Sequence, residues 1–366
     1  MTTSIQKLKK TELYEKVYGC LLGGAIGDAL GGPVENWTPK EIHSKYGILD
    51  RFVPYDRPQS YHGHFGVGEC IGVYTDDTRL KHLFCDAIFR AGAKPRSRDL
   101  AQTLAEAYHS APDDMHKGFL EDYYLKSVWR GDKVVFSGEP TNGAIMANSP
   151  LGLITACRSD EAYQLGFDLA WFTDGYAKSA SAIMVAAIAA AMRPQCTVDE
   201  VIESARNAHI GFTKRRQGER WPNFLHRYGP NLMFLDKALE VARETRDVFR
   251  IREPLYELLE WGHLYSEATH TLVVALSMFV AAEGDFEKSI IGSIMYGRDK
   301  DSYASVAGAL AGAYHGGSAI RQDWIRTVVA ANPSVDMEEY SCRLVEIIIK
   351  EHQSARQDFD DLEALL

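Results

Sequence analysis

The sequence predicts an all-α fold, and three observations carry that expectation. Apolar residues recur every three to four positions along most of the chain, the spacing that lines one side of a helix. Alternating β-branched runs are missing, apart from the brief Lys133-Val134-Val135-Phe136. Two of the periodic segments also carry stripes of Gly and Ala, which let two helix backbones approach closely.

Taken in order, the helical spacing covers 14–30, 78–91, 99–110, 160–170, 178–192, 198–209, 232–246, 254–261, 269–283, 286–295, 302–315 and 337–352. In the first segment Gly19, Gly23, Gly27 and Gly31 repeat every four residues and share one side. The second follows directly on Thr75-Asp76-Asp77-Thr78. In 178–192 the apolar run from Ser179 to Met192 is too short and too rich in Ala to span a bilayer. The segment 302–315 repeats the small stripe with Ala304, Ala307, Gly308, Ala311 and Gly312, and it follows on Asp299-Lys300-Asp301-Ser302. A helical Gly costs up to ~1 kcal/mol of propensity, so tight core packing is the reason to keep such stripes. A membrane GxxxG reading fails on Asp28, Asp301 and Tyr314 in the same segments. The stretches 31–74, 111–150 and 211–231 hold much of the Gly, Pro, Tyr and His and read as long, ordered loops. No flexible linker divides the chain. One domain is expected over 1–366, with its core at about 14–320 and a C-terminal helical extension at 321–366.

Composition excludes several classes. With 366 residues, 46% of them hydrophobic, the chain can bury a large core. A net charge of −10 without any Lys/Arg block argues against a nucleic-acid partner. The start MTTSIQKLKKTELYEK has no apolar stretch and is no secretory signal. Cys20, Cys70, Cys85, Cys157, Cys196 and Cys342 are scattered and read as free thiols of a reducing compartment. The expectation is a soluble cytoplasmic protein with no membrane partner, a monomer by default.

Chemistry concentrates in the two acidic motifs, more than two hundred residues apart. Each offers two carboxylates beside a hydroxyl at the start of a helix: Thr75, Asp76 and Asp77 in one, Asp299, Asp301 and Ser302 in the other. Oxygen ligands of this kind suit a hard cation, and two ions if the motifs meet. Taken singly, each motif has a plainer explanation. Thr75 can cap the helix, with Asp76 and Asp77 favourable in its positive first turn, and Asp299 and Asp301 can do the same further on.

Four segments tie the motifs together. Gly19-Cys-Leu-Leu-Gly-Gly-Ala-Ile-Gly-Asp-Ala-Leu-Gly-Gly-Pro-Val-Glu35 resembles the opening helix of the ADP-ribosylglycohydrolases. Tyr74-Thr-Asp-Asp-Thr78 resembles that family's first metal motif. Thr141-Asn-Gly-Ala-Ile-Met146 with Pro150-Leu151-Gly152 resembles its substrate loop. The run from Gly297 to Gly316 resembles its second metal motif and the small-residue helix behind it. The matches stand in family order from about residue 14 to 320.

The resemblance implies an orthogonal helical bundle around a cleft that holds two Mg²⁺ or Mn²⁺ ions. Thr75, Asp76, Asp77, Asp299, Asp301 and Ser302 are then the metal ligands, with Ser302 in place of the usual Thr. Glu35, on the loop after the first helix, and Asp77 become the catalytic carboxylates, while Asp28 supports the fold. Asn142, Gly143, Ala144, Arg298 and Lys300 are the substrate-binding candidates. The implied reaction is hydrolysis of a glycosidic bond at C1 of ribose, with an ADP-ribosylated acceptor or another ribose-containing small molecule as partner.

Departures from the pattern bear on the substrate. Arg298 and Lys300 stand where the family's second motif reads G-G-D-T-D-T. Lys300 can pair with a ligand carboxylate, reach a substrate anion or displace one ion. Asn148 lies where many relatives carry Arg, and Phe172-Thr-Asp-Gly-Tyr176 lacks a His that several relatives have nearby. A smaller, nucleoside-type N-riboside therefore competes as substrate, and Lys300 keeps open a silent ADP-ribose binder. Lesser candidates are Glu139 as an acid/base group, Gly63 to Gly72 as a phosphate loop, and His62 with His64 as a metal pair. The cluster Lys214, Arg215, Arg216, Arg220 and Trp221 can dock an anion, and Tyr61 and Tyr228 can stack on a base.

Overall fold

The computed structural model describes residues 6–55, 71–110, 120, 123–124, 140–215, 229–259 and 266–366. Helix α1, Glu12–Gly31, starts at Thr11, whose hydroxyl accepts from Tyr14 N at 3.2 Å, and a 3₁₀ turn, Gly32–Val34, extends it. Helix α2, Pro39–Tyr46, opens with a capping box in which Thr38 and Glu41 satisfy each other's backbone N–H. Next come α3, Asp76–Ala91, and α4, Ser97–Ser110. Two short helices, α5 (Gly143–Ala147) and α6 (Ser149–Ile154), precede α7 (Ser159–Asp168), α8 (Ala177–Ala191) and α9 (Val198–Arg215). The rest are α10 (Gly229–Thr245), α11 (Arg252–Leu258), α12 (Ala268–Ala281), α13 (Phe286–Tyr296), α14 (Lys300–His315), α15 (Gln322–Ala331) and α16 (Met337–Glu363). Among the described residues the one β-type pairing outside the helices is an isolated antiparallel bridge between Thr141 and Glu267. The fold is all-α, as the periodicity predicts.

The expected long loops are corrected in three places. Helix α2 lies within 31–74, and α5 and the start of α6 lie within 111–150, whereas α15 falls in the expected C-terminal helical extension. The helices inside the expected loops are too short to display a full apolar stripe, and α2 buries Ile42. Helix α9 also runs on to Arg215, into the third expected loop.

Helices α8 and α12 are buried along their whole length, and α1 and α14 nearly so. A helix that is apolar on all sides belongs inside the protein, and these four form the inner layer. The span Glu12–Val34 is long and apolar enough to cross a bilayer by length and composition, yet 94% of its apolar window is buried within the fold.

Contact between α1 and α14 is the most extensive of any helix pair, and the glycines explain it. A Cβ on Gly31 would lie 2.6 Å from Asp301 Cα, and one on Gly19 would lie 2.6 Å from the Gly316 carbonyl carbon. No side chain fits at these points, so the stripes set the helix separation. The C-terminal segment is joined to this body. Its α16 packs on α1 and α3, and Tyr340 donates to Asp86 Oδ1 at 2.8 Å.

Candidate metal centre

The first acidic motif is fastened to α1 by Asp28. Its Oδ1 accepts from Thr75 N at 2.9 Å, and its Oδ2 accepts from Thr78 N at 3.0 Å and from the Thr78 hydroxyl at 2.5 Å. Asp28 is fully buried and satisfied by these donors, which gives it a structural part. Thr75 Oγ1 accepts from Asp77 N at 3.3 Å, so the plain capping explanation holds for Thr75. Asp76 and Asp77 occupy the first turn of α3 and are both buried.

The second motif behaves differently. Asp299 stands at the N-cap of α14, yet its side chain makes no capping bond. Instead its Oδ2 accepts from Asn142 Nδ2 at 2.5 Å, and Asn142 also donates to the Thr271 hydroxyl at 3.2 Å. One residue into the helix, Asp301 is buried against Gly31.

These two segments meet. The Ser302 hydroxyl donates to Asp77 Oδ2 at 3.2 Å. Glu35, Asp299 and Asp301 each bring one carboxylate oxygen to within 4.8 Å of the others. Half-buried Glu35 reaches this cluster from the loop after the 3₁₀ turn.

Burial and mutual repulsion keep Glu35, Asp76, Asp77 and Asp299 protonated above the usual carboxylate range. Burial pushes Glu35 up to about 9, with Asp301 and Asp76 adding to it. Asp76 rises to about 7, through burial first and the Asp28 charge second. Asp77 and Asp299 are raised well above their ordinary values by burial and by Asp301. Such a cluster is costly by itself and suits a cation. All its donors are oxygens, as hard divalent ions prefer, and Asp77 Oδ1 is buried without a hydrogen-bond partner. Glu35, Asp76, Asp77, Asp299 and Asp301, with the Thr75 and Ser302 hydroxyls beside them, fit such ions.

Lys300 corrects a sequence expectation. It is fully buried, and its ammonium donates to the carbonyls of Val34 at 2.8 Å, Arg298 at 3.4 Å and Trp37. All three N–H groups are thereby committed to backbone, so no donor remains for a substrate anion or a ligand carboxylate. The Arg298 carbonyl also accepts from Asn36 N at 3.2 Å. Both residues adopt positive φ, 64° for Arg298 and 63° for Asn36, a conformation non-glycine residues rarely take. The Glu35 loop is thus tied to the second motif by a buried lysine and a strained backbone pair. The Arg298 guanidinium lies on the Tyr256 ring, 4.5 Å from its centroid.

Of the other substrate candidates, Asn142 turns both amide N–H groups on protein partners and orients Asp299. Gly143 and Ala144 follow it in α5, both buried, and a Cβ on Gly143 would lie 2.5 Å from the Phe172 carbonyl oxygen. Asn148 donates to Ser181 Oγ at 2.5 Å in the core. Glu139, His62, His64, Tyr61, Tyr228, Arg216, Arg220, Trp221, Cys70 and Gly63 to Gly68 lie outside the described residues. Lys214 and Arg215 close α9.

Two buried residues escaped the sequence reading. Lys81, one turn after Asp77, is fully enclosed and donates to Ser305 Oγ on α14. Its signal was a charged residue inside an apolar stripe. Glu267 caps α12 by accepting from His270 N at 2.9 Å and sits on the bridge to Thr141. No local pattern announces that pairing.

The profile of the ADP-ribosylglycohydrolase family matches residues 9–356. An uncharacterised Escherichia coli protein, YegU, is 24% identical over 335 residues, covering 90% of this chain and 96% of its own. An uncharacterised protein of Archaeoglobus fulgidus is 26% identical over 320 residues, covering 85% of this chain and 90% of its own. The zebrafish (Danio rerio) ADP-ribosylhydrolase ARH3 is 24% identical over 358 residues, covering 88% and 89%. Among solved structures, a chain of an "ADP-ribosylglycohydrolase-related protein complex" superposes with a TM-score of 0.61 at 20% identity, covering 92% of this chain and 99% of that one. That likeness concerns the fold.

Proposed function

Because this chain belongs to the ADP-ribosylglycohydrolase family, we propose that it is a binuclear Mg²⁺- or Mn²⁺-dependent hydrolase of the glycosidic bond at C1 of a ribose, acting on an ADP-ribosylated acceptor. The observation that carries this reading is the meeting of the two acidic motifs, joined by Ser302 and Asp77 with the Glu35 carboxylate beside them. Charge supports a cation at this place. Glu35, Asp28, Asp76, Asp77, Asp299 and Asp301, taken ionised, face the ammonium groups of Lys81 and Lys300. The acids outnumber these cations even with Arg79 acting on Asp76, and the excess negative charge favours a bound cation.

Such ions, when bound, supply Lewis-acid polarisation and fix the orientation of oxygen groups. The chain's own residues do the rest. Glu35, pushed up to about 9 in the metal-free site, is a carboxyl able to hold or release a proton near neutrality once neighbouring charge is neutralised. Asn142 aims Asp299, Asp28 fixes the turn that presents Asp76 and Asp77, and Lys300 fixes the loop that presents Glu35. Preorganisation of this kind, with little to rearrange during reaction, is the main catalytic resource of a rigid site.

A second reading has one observation in its favour. Lys300 is turned to backbone carbonyls and Arg298 onto Tyr256, so the two cations placed beside the second motif serve the protein's own structure. A substrate without a pyrophosphate, a smaller N-riboside, suits that arrangement. The deciding assay offers ADP-ribosylated peptides and a panel of nucleosides to the Mn²⁺-loaded protein and measures released ADP-ribose and ribose. Product from the peptides that chelator abolishes supports the first reading, and product from nucleosides alone replaces it with the second. No metal-dependent product from either set overturns both.

A further inference from the structure

Lys81 sits where α1, α3 and α14 converge. It lies one helical turn beyond Asp77, so both side chains leave α3 on the same side. Its ammonium donates to Ser305 on α14, one turn beyond Asp301. Its stem fills a niche left by Gly24 of α1, where an added Cβ would lie 3.2 Å from Lys81 Cε and 3.4 Å from Nζ. The residue is 2% exposed, in the same layer as Asp77 and Asp28. Burial lowers the ammonium's pKa, while Asp77, Asp28, Cys20 and Asp76 oppose that effect.

A buried lysine is an expensive choice for packing alone, since Leu or Met would fill the same space without desolvating a charge. A fixed charge in this position acts on its neighbours through a medium of low polarity. It offsets carboxylate repulsion when no ion is bound, and it opposes a divalent ion that approaches Asp77. We propose that Lys81 is an internal counter-cation that weakens divalent-metal binding at the Asp76–Asp77 side and keeps that ion exchangeable. This rests on the binuclear reading above, and it concerns a residue that touches neither the expected ion nor the substrate. Lys81 is therefore a positioning and charge-setting residue.

The test is Mn²⁺ titration by calorimetry, with wild-type protein, Lys81→Met and Lys81→Gln. Removal of the ammonium should tighten one binding step by about tenfold or more and enlarge the rise in Tm on adding Mn²⁺. A merely structural lysine predicts the opposite, weaker binding through a loosened site. Lys81→Gln keeps a donor for Ser305 and serves as the readout if Lys81→Met does not fold. Affinities equal to or weaker than wild type in a folded variant overturn the inference. Absence of Mn²⁺ binding by the wild type overturns the binuclear reading instead, so the two failures are distinct.

Discussion

The Ser302 hydroxyl donates to Asp77 Oδ2 at 3.2 Å across a sequence separation of 225 residues. This bond joins the starts of α3 and α14, and each helix brings its acidic first turn to the same place. Capping accounts for Thr75 but not for burying Asp76, Asp77, Asp299 and Asp301 together, since a helix cap needs only one polar side chain at its rim.

Asp301→Ala should therefore abolish turnover, with a loss on the order of 10³-fold. The fold should survive, because the substitution removes one of several crowded buried acids. Thermal melts in chelator should show a Tm no lower than wild type. Activity within about tenfold of wild type refutes the ligand assignment.

Glu35→Gln should lower kcat by about 10²- to 10⁴-fold while leaving substrate KM near wild type. The amide keeps an oxygen in the cluster but cannot exchange a proton. Steady-state kinetics at saturating Mn²⁺ decide it, and an unchanged kcat removes Glu35 from proton transfer.

Stability of the metal-free protein should fall as pH rises. Glu35 titrates at about 9 and Asp76 at about 7 in the folded chain, both above their ordinary values of 4.5 and 3.8. The folded state thus binds more protons than the unfolded one between these limits, and its advantage is lost as those protons leave. Between pH 6 and about 9, Tm in chelator should decline. Excess Mg²⁺ should flatten the curve, because an ion takes the place of the protons. A flat metal-free profile over this window contradicts the crowding of the site.

Lys300→Met should cost about 2–4 kcal/mol in urea unfolding, because it orphans buried carbonyls of Val34, Trp37 and Arg298. Release of the Glu35 loop should lower kcat more than it weakens Mn²⁺ binding. If metal affinity collapses instead, Lys300 supports the ligands rather than the loop.

Gly31→Ala tests the helix spacing. Its methyl group would meet Asp301 Cα at 2.6 Å, so α14 has to shift. The expected cost is about 1–3 kcal/mol by chemical denaturation, with weaker Mn²⁺ binding as Asp301 moves. Wild-type stability would show that the helix pair yields more easily than its backbone contact suggests.

The sequence makes the helices and both acidic motifs legible, because helical spacing and first-turn carboxylates are local signals. Thr75, Asp76, Asp77, Asp299, Asp301 and Ser302 all lie at the helix starts where the motifs put them. The direction of a long side chain is different, since it depends on what stands across from it. Lys300 reads as a cation beside the site until Val34 and Trp37 are known to offer carbonyls. Asn142 reads as a substrate group until Asp299 is found 2.5 Å away. Helices α2, α5 and α6 were hidden by shortness, as segments of 8, 5 and 6 residues hold too few turns to show a period.

The backbone contact between α1 and α14 also bears on how the protein is made. Its halves come from opposite ends of the chain, and a ribosome delivers the N-terminal end first. A nascent chain that stops short of Asp299 holds Asp28, Glu35, Asp76 and Asp77 but nothing to complete them. Until α14 emerges and slots against the bare side of α1, the growing polypeptide has half a centre and an unfilled groove. Under the proposed metal-dependent reading, loading has to wait for the arrival of the last inner helix.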